Sequence, residues 1–229
     1  MVVIMKNIWY RRNKFVFDTK FLNPAQVIQN AFVNLEEYSL ALKKERDGEK
    51  QRSVARRGTR WSRPEGRSFK ANFDAAFNMA EQIMGLGVVI RDCNGEVMAV
   101  KCANRKCRSS PFIAECSAMW EAMELCKELD FWDVWLEGDA KDVIDAVNRD
   151  EEDESRYGHV VEDLKQSLKQ SKSWKVVFTH RDGNEVAHHL AKMAIHCISD
   201  QYWIKEGPES IRNLLAIDKL HSESVIECS

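Results

Sequence analysis

Three acidic residues stand in apolar stretches of the sequence, where a packed domain has no need for charge. Asp74 lies between Phe73 and Ala75 in a stretch that alternates apolar and polar residues. Glu115 stands near the start of a helical apolar pattern, and Asp139 directly follows a short apolar run. A buried carboxylate without a partner costs several kcal/mol, so such acids require a metal ion or another cation beside them. The three residues are therefore candidate metal ligands.

Each acid also has a structural explanation that the sequence leaves open. Asp139, which Asp142 follows at helical spacing, would cap a helix by accepting bonds from its first-turn amides. Glu115 would lie in the first turn of a helix, where the dipole favours acids. Asp74 would lie on a solvated face of an edge strand. These explanations weaken if the fold brings the three residues together.

The strands that would position the first acid follow from the periodicity of the sequence. Alternation over residues 69–77 predicts a strand, and apolar runs predict two more at 86–91 and 96–102. Asn94-Gly95 lies between the last two and favours a hairpin, because both residues tolerate positive φ. Three consecutive strands with short connections predict an antiparallel meander.

Beyond the meander, helical and strand patterns alternate. They predict a helix at 111–129, a strand at 133–138, helices at 140–148 and 159–169, a strand at 174–179 and a helix at 184–198. Strand–helix–strand units imply crossover connections, so the fold class is α/β with a mixed sheet and helices on its faces. In such sheets, sites form where strand carboxyl ends meet helix starts, which is where the three acids fall.

The chain of 229 residues has room for one well-buried domain and a smaller appendage. We expect a helical N-terminal appendage over residues 1–42 and a basic flexible linker over 43–68, because the latter is charged and lacks apolar periodicity. The α/β domain would span 69–198, and 199–229 would form a C-terminal tail with a short helix. We expect the linker to lack stable contacts with the domain.

Charge and cysteine content restrict the compartment and the partners. The net charge is −2, yet residues 50–67 hold seven basic residues and one acid. That stretch would either hold a phosphate backbone or form a solvated linker. No apolar run reaches the roughly 18 residues of a membrane span, and the start is too short for a signal peptide. We therefore expect reduced thiols in an intracellular protein, with nucleus or cytoplasm left open.

Five blocks of the sequence carry a family resemblance: KANFDAAF, GLGVVIRDCNGEVMAV, AEC, VWLEGDAKDVIDAV and FTHRDGNEVAHHLAKMA. Together they resemble the plant retroelement-type RNase H-like domain of the reverse transcriptase-associated ribonuclease H family, over residues 61–211. The resemblance implies a five-stranded sheet with three antiparallel strands, then two parallel ones. The flanking IWYRRNKFVF and WIKEGPESIRNLL resemble the C-terminal end of non-LTR retroelement polyproteins, so we expect a fragment or domesticated copy of one.

The resemblance also implies an activity and its residues. RNase H enzymes hold two magnesium ions on acidic residues and cleave the RNA strand of an RNA–DNA hybrid endonucleolytically. Asp74 would bridge both ions, and Glu115 and Asp139 would each bind one, with manganese as an alternative ion. His180 resembles the loop histidine that assists proton transfer or product release, or is a surface histidine in a turn. A nucleic-acid partner and no membrane are implied, and the oligomeric state stays open.

Three departures from the family pattern bear on catalysis. His188 takes the position of the fourth acid, and imidazole is a poor magnesium ligand. Ala75 replaces the usual glycine after the first acid, and the acidic run 150–154 stands where some members carry a basic handle. The alternative function is therefore a catalytically weak or inactive RNase H-like domain that binds nucleic acid.

These interpretations predict a definite geometry. The carboxylates of Asp74, Glu115 and Asp139 should converge to roughly 4–7 Å, as ligands of shared ions must. His188 should border this site rather than the core, because it lies one residue off the apolar stripe of its helix.

Overall fold

A computed structural model describes residues 60–78, 81–106, 110–151, 153, 155–171 and 173–226. The predicted N-terminal appendage, residues 1–42, and the first part of the predicted linker, 43–59, lie outside these described residues. Among the helices of the described ranges, none is long and apolar enough to cross a membrane.

A mixed sheet of six strands forms the centre of the fold. The strands are β1 (Phe69–Asn78), β2 (Ile83–Arg91), β3 (Val97–Lys106), β4 (Val134–Gly138), β5 (Lys175–Phe178) and β6 (Gln201–Ile204). They lie in the order β5-β4-β1-β2-β3-β6. β1, β2, β3 and β6 pair antiparallel, whereas β4 pairs in parallel with both β1 and β5. The predicted meander and the two parallel strands are confirmed.

The prediction of five strands is wrong by one strand. β6 comes from the predicted C-terminal tail and pairs with β3 at Ala99–Cys102. Four residues give too short an alternation for the sequence to indicate a strand. Backbone hydrogen bonds to the open edge of β3 stabilise this strand, although its local sequence pattern does not indicate one.

The hairpin between β2 and β3 forms where Asn94-Gly95 predicts it. Gly95 has a φ of +78°, a conformation that glycine adopts without steric cost. The Asp92 carboxylate accepts hydrogen bonds from the backbone N–H groups of Asn94 and Glu96, at 2.9 and 2.8 Å. The turn thus closes on local hydrogen bonds and fixes the register of the two strands.

Helices cover both faces of the sheet. They are α1 (Pro111–Glu128), α2 (Lys141–Asn148), α3 (Gly158–Lys169), α4 (Glu185–Ala194) and α5 (Arg212–Ile226). The first three pack with Phe73 and Leu86 into a large core, and α4 packs with Val89 and Val100 into a smaller one. α1 begins at Pro111 after Ser110, whose hydroxyl accepts a bond from the Ile113 N–H.

The packing of α4 on β2 depends on Gly87. A Cβ atom at this position would lie 2.3 Å from the Ala191 backbone nitrogen and 2.5 Å from the Ala187 carbonyl oxygen. Only glycine permits so close an approach of helix and strand. The approach also brings the start of α4 beside the carboxyl end of β1.

The expectation that residues 43–68 lack stable contacts with the domain is wrong for the part that the structure describes. Trp61 is only 2% exposed, and its indole N–H donates to the Asn72 carboxamide on β1 at 2.9 Å. Charged residues dominate the composition of this stretch. Burial of the Trp61 indole nevertheless binds it to the domain, because an aromatic ring removes a large apolar area from water. The predicted tail, 199–229, likewise contributes β6, the fully buried Ile211 and a 15-residue helix.

Two tryptophans allow a test of this correction. Trp61→Ala should lower the free energy of unfolding by about 3–5 kcal/mol, as expected for removing a buried aromatic side chain. Trp132→Ala is the matched control: its side chain is 75% exposed, so its loss should change stability by less than about 0.5 kcal/mol. Urea denaturation of the full chain measures both, and equal stabilities would mean that residues 60–68 are a linker after all.

Candidate metal centre

The three predicted acids meet at one end of the sheet. The β1–β4 ladder ends with the pair Asn72 and Glu137, and two residues further along each chain stand Asp74 and Asp139. Glu115, in the first turns of α1, reaches the same place. One ligand atom from each of the three carboxylates lies within 4.8 Å of the others. The predicted convergence is confirmed.

Burial and mutual repulsion make this cluster hard to ionise. Burial, together with the charges of Glu115 and Asp139, raises the pKa of Asp74 to about 9. Burial and the charge of Asp139 raise the pKa of Glu115 to about 8, although the Ala75 N–H donates to its carboxylate. Ionisation of all three acids would therefore give the site more negative charge than the surrounding protein neutralises.

Arg181 supplies most of the positive charge that the protein offers. It lies in a short 3-10 turn, Arg181–Gly183, between β5 and α4. Its Nη1 atom lies 3.0 Å from Asp74 Oδ1 and 2.6 Å from Asp139 Oδ2. Burial opposes ionisation of Asp139, but the hydrogen bond and charge of Arg181 lower its pKa below the usual value. Sequence reasoning missed Arg181, because a basic residue in a loop is ordinary.

His188 borders the site, as predicted. Its Nδ1 atom lies 2.9 Å from Asp74 Oδ2, and its ring also contacts the Arg181 guanidinium. Burial and the charge of Arg181 lower the pKa of His188 to about 4, so the ring is neutral at physiological pH. The position at which the family resemblance implies a fourth negative charge therefore carries a neutral side chain.

His180 lies apart from the carboxylates. Its ring is exposed and packs edge-on against Phe178, with ring centroids 5.3 Å apart. In the described part of the chain it makes no hydrogen bond or ion pair with the three acids. Its role in proton transfer or product release stays a prediction.

Asn184 links β1 to Asp139 through two hydrogen bonds. Its Nδ2 atom donates to the Phe73 carbonyl at 2.9 Å and to Asp139 Oδ1 at 3.4 Å. This carbonyl lies one residue beyond the end of the β1–β4 ladder, so Asn184 continues the bonding where the strands separate. Sequence reasoning used Asn184 to mark the start of a helix and to place the fourth-acid position four residues later, at His188, but it assigned Asn184 no contact with the site.

The residues present fit a divalent cation. Glu115 Oε2 is buried and has no hydrogen-bond partner among the described residues, a costly arrangement that a bound cation would relieve. All three acids offer carboxylate oxygens, the ligands that magnesium and manganese accept. A cation of charge +2 would also stabilise the ionised forms of Asp74 and Glu115.

Comparisons with known proteins agree with the fold. A family model described as reverse transcriptase-like matches residues 72–194, slightly more than half of the chain. LC11-RNase H1, isolated from compost, is 18% identical, with a TM-score of 0.51 over 57% of this chain and 96% of its own. The same enzyme in complex with RNA/DNA hybrid gives 17% identity and a TM-score of 0.50, over 56% and 96%.

A further similar structure is the N-terminal RNase H domain of a Mycobacterium tuberculosis protein, solved as a fusion with maltose-binding protein. It is 15% identical, with a TM-score of 0.51 over 57% of this chain and 94% of its own. Identities this low show the fold alone, which is the α/β RNase H-like fold. A search of curated protein sequences gives no significant match.

The raised pKa values predict how stability depends on pH without metal. Asp74 and Glu115 bind protons more tightly in the folded chain, so their contribution to stability is complete at low pH. It should fall as pH rises toward about 8–9, by at least about 1 kcal/mol between pH 5 and 9. Millimolar Mg²⁺ should remove much of this loss, because the cation stabilises the ionised carboxylates.

Urea denaturation at several pH values, with EDTA or with Mg²⁺, measures this effect. Asp74→Asn should flatten the pH dependence in EDTA and weaken the response to Mg²⁺. Asp182→Asn, which removes an exposed acid in the neighbouring turn, is the matched control and should behave as the parent chain does. A pH dependence that is identical with EDTA and with Mg²⁺ would argue against a metal site.

Proposed function

Because the chain belongs to the reverse transcriptase-like family, we propose that it is a metal-dependent endoribonuclease that cleaves the RNA strand of RNA–DNA hybrids. One observation carries the proposal: one ligand atom each of Asp74, Glu115 and Asp139 lies within 4.8 Å of the others, beside the carboxyl end of β4. The RNase H-like fold supports the same function at a general level. LC11-RNase H1, which shares this fold, binds an RNA/DNA hybrid, and we propose the same class of partner here.

Each residue of the site has a part in this reaction. Asp74, Glu115 and Asp139 would hold one or two divalent ions, magnesium or manganese. A divalent ion in such a site supplies Lewis acidity toward a phosphodiester and lowers the pKa of a bound water. Arg181 is partly exposed at the mouth of the site, and we assign it to the phosphate backbone once a metal ion has replaced it at the acids.

The two histidines would act at the edge of the site. His188 holds Asp74 through its hydrogen bond and can complete the coordination of a soft divalent ion. His180 is exposed on the loop after β5, where it could receive or deliver a proton at the leaving group. Neither residue adds the negative charge that a fourth acid would contribute.

A second candidate function is a nucleic-acid-binding domain with weak or no catalysis. Two observations favour it: a neutral His188 replaces the fourth acid, and Arg181 is paired with two of the three carboxylates. A site that binds cations weakly could still hold a phosphate backbone through Arg181. The two candidates differ in whether hybrid binding is followed by cleavage.

We also propose a retroelement origin of the plant, non-LTR type. The five sequence blocks and the ending WIKEGPESIRNLL support this proposal. In this proposal, the domain descends from the ribonuclease part of a reverse-transcribing polyprotein, whose natural substrate is an RNA–DNA hybrid.

Cleavage of a labelled RNA–DNA hybrid tests the proposed function. We expect weak cleavage in Mg²⁺ and clearly stronger cleavage in Mn²⁺, because imidazole coordinates manganese better than magnesium. Asp74→Asn should abolish cleavage with either ion, and Asp182→Asn should leave it unchanged. Double-stranded RNA serves as the substrate control. Binding of the hybrid without any cleavage in either ion would favour the second candidate.

His188→Asp tests whether the histidine limits catalysis. The added carboxylate should raise the Mg²⁺-dependent rate by about tenfold or more, equivalent to about 1.4 kcal/mol, because each anion strengthens attraction for the cation. His189→Asp is the matched control, since it adds the same charge on the same helix one residue away. High activity of the parent chain in both ions, with no gain from His188→Asp, would show that the histidine is no handicap.

A further inference from the structure

The face of the sheet that α4 covers buries an unusual set of polar side chains next to the candidate metal centre. Arg91 and Asn72 are 1% and 0% exposed, and Asn184 is also buried. Burying such groups is costly unless each finds hydrogen-bond partners. Their partners form one continuous path, which runs from α5 to the acids.

The Asn72 carboxamide can adopt only one orientation in this path. Its Oδ1 accepts from Arg91 Nη2 at 2.8 Å and from the Trp61 indole N–H at 2.9 Å. Its Nδ2 donates to Glu137 Oε1 at 3.0 Å and to Asn184 Oδ1 at 3.2 Å. Rotating the amide by 180° would set its N–H groups against two donors and its oxygen against two acceptors.

Asn72 and the Phe73 carbonyl together determine the orientation of Asn184. Its Oδ1 accepts the bond from Asn72, and its Nδ2 donates to the Phe73 carbonyl and to Asp139 Oδ1. A flipped Asn184 would point its oxygen at the Asp139 carboxylate, which repels it. The donor and acceptor atoms of the two amides are therefore aligned in one sense along the hydrogen-bonded path from Arg91 to Asp139.

The outer end of the path lies beyond the residues that the family model matches, 72–194. Arg91 Nη1 lies 2.6 Å from Asp218 Oδ2 of α5. The Arg91 guanidinium also stacks 3.6 Å from the centre of the Trp61 ring. Asp218 and Trp61 therefore fix Arg91, although neither lies near the acids in sequence.

Burying the Arg91 guanidinium costs more free energy than burying an apolar side chain of similar size would. In the part of the chain that the structure describes, its buried Nε atom has no hydrogen-bond partner. Replacing buried ion pairs by apolar residues is often neutral or stabilising. A merely structural position would not need a guanidinium here. The planar guanidinium is suited to orienting its neighbours, because it donates to two acceptors in fixed directions.

We propose that Arg91 is a positioning residue for the metal centre. Through Asn72 and Asn184 it fixes the orientation in which Asp139 is held, so metal affinity depends on Asp218 and Trp61 as well. This inference rests on the proposed metal-dependent function. Partners outside the first ligands of a metal are known to tune affinity by orienting those ligands.

The test uses the full chain with Arg91→Met and Asp218→Leu combined. Removing both charges together leaves no unpaired buried ion. The control, matched in charge and in the substitutions made, combines Arg105→Met and Asp200→Leu. It removes another ion pair, between β3 and the residue before β6, which makes no hydrogen bond to Asn72 within the described residues. Two properties are measured: solvent exchange of the Asn184 side-chain amide by NMR without metal, and Mn²⁺ affinity by calorimetry well below the unfolding temperature.

We expect the Asn184 amide of the double variant to shift and to exchange at least about 10-fold faster than in the parent chain. Mn²⁺ affinity should fall about 3- to 10-fold, less than for a partner that touches a ligand directly. The control should keep both properties, whatever its thermal stability. An unchanged Asn184 signal and unchanged affinity in a folded double variant would overturn the proposal.

Two further results separate this inference from the proposed function. If the parent chain binds no Mn²⁺, the metal-dependent function fails, and the Asn184 signal still decides whether Arg91 orients it. If the double variant does not fold, Trp61→Phe keeps an aromatic ring and removes only the indole donor to Asn72. Faster exchange of the Asn184 amide in that variant supports the proposal, and an unchanged rate refutes it.

Discussion

The repulsion among three carboxylates, one buried and two partly buried, is the constraint on which the rest of the structure depends. Asp74, Glu115 and Asp139 lie closer together than their charges favour, and burial raises the pKa of two of them. Such a cluster persists only if rigid elements hold it. A central strand, the start of α1 and the end of β4 each contribute one acid, so none can withdraw without distorting the sheet.

The protein balances this charge incompletely. Arg181 brings one positive charge to Asp74 and Asp139, while a neutral His188 stands against Asp74. Among the described residues, Glu115 Oε2 has no hydrogen-bond partner. A histidine at the position where the family resemblance implies a fourth acid leaves the site with less negative charge, which lowers both the repulsion among its acids and its attraction for cations. Stability and the proposed metal affinity therefore oppose each other at this one position.

The sequence indicated the three acids through their placement on two strands and a helix start, and through the family resemblance. It was equally informative about the meander, since Asn94-Gly95 and the alternation of β1 agree. The contacts of Arg181 and Asn184 with the acids did not follow from the sequence, because polar residues in a loop or at a helix start are common and only their tertiary partners distinguish them. The linker assignment was wrong at Trp61, since average composition conceals a single residue that packs.

The two edges of the sheet have a consequence for the behaviour of the protein in solution. Within the described residues, β5 and β6 each span four residues at the outer positions, beside longer inner strands. A short edge strand offers few unpaired backbone groups to a neighbouring molecule, and the exposed Lys175 adds a charge on β5. β6 screens Ala99–Cys102 of the ten-residue strand β3 from edge-to-edge association, and β1 lies inside the sheet between β4 and β2, so both edges offer little backbone for aggregation.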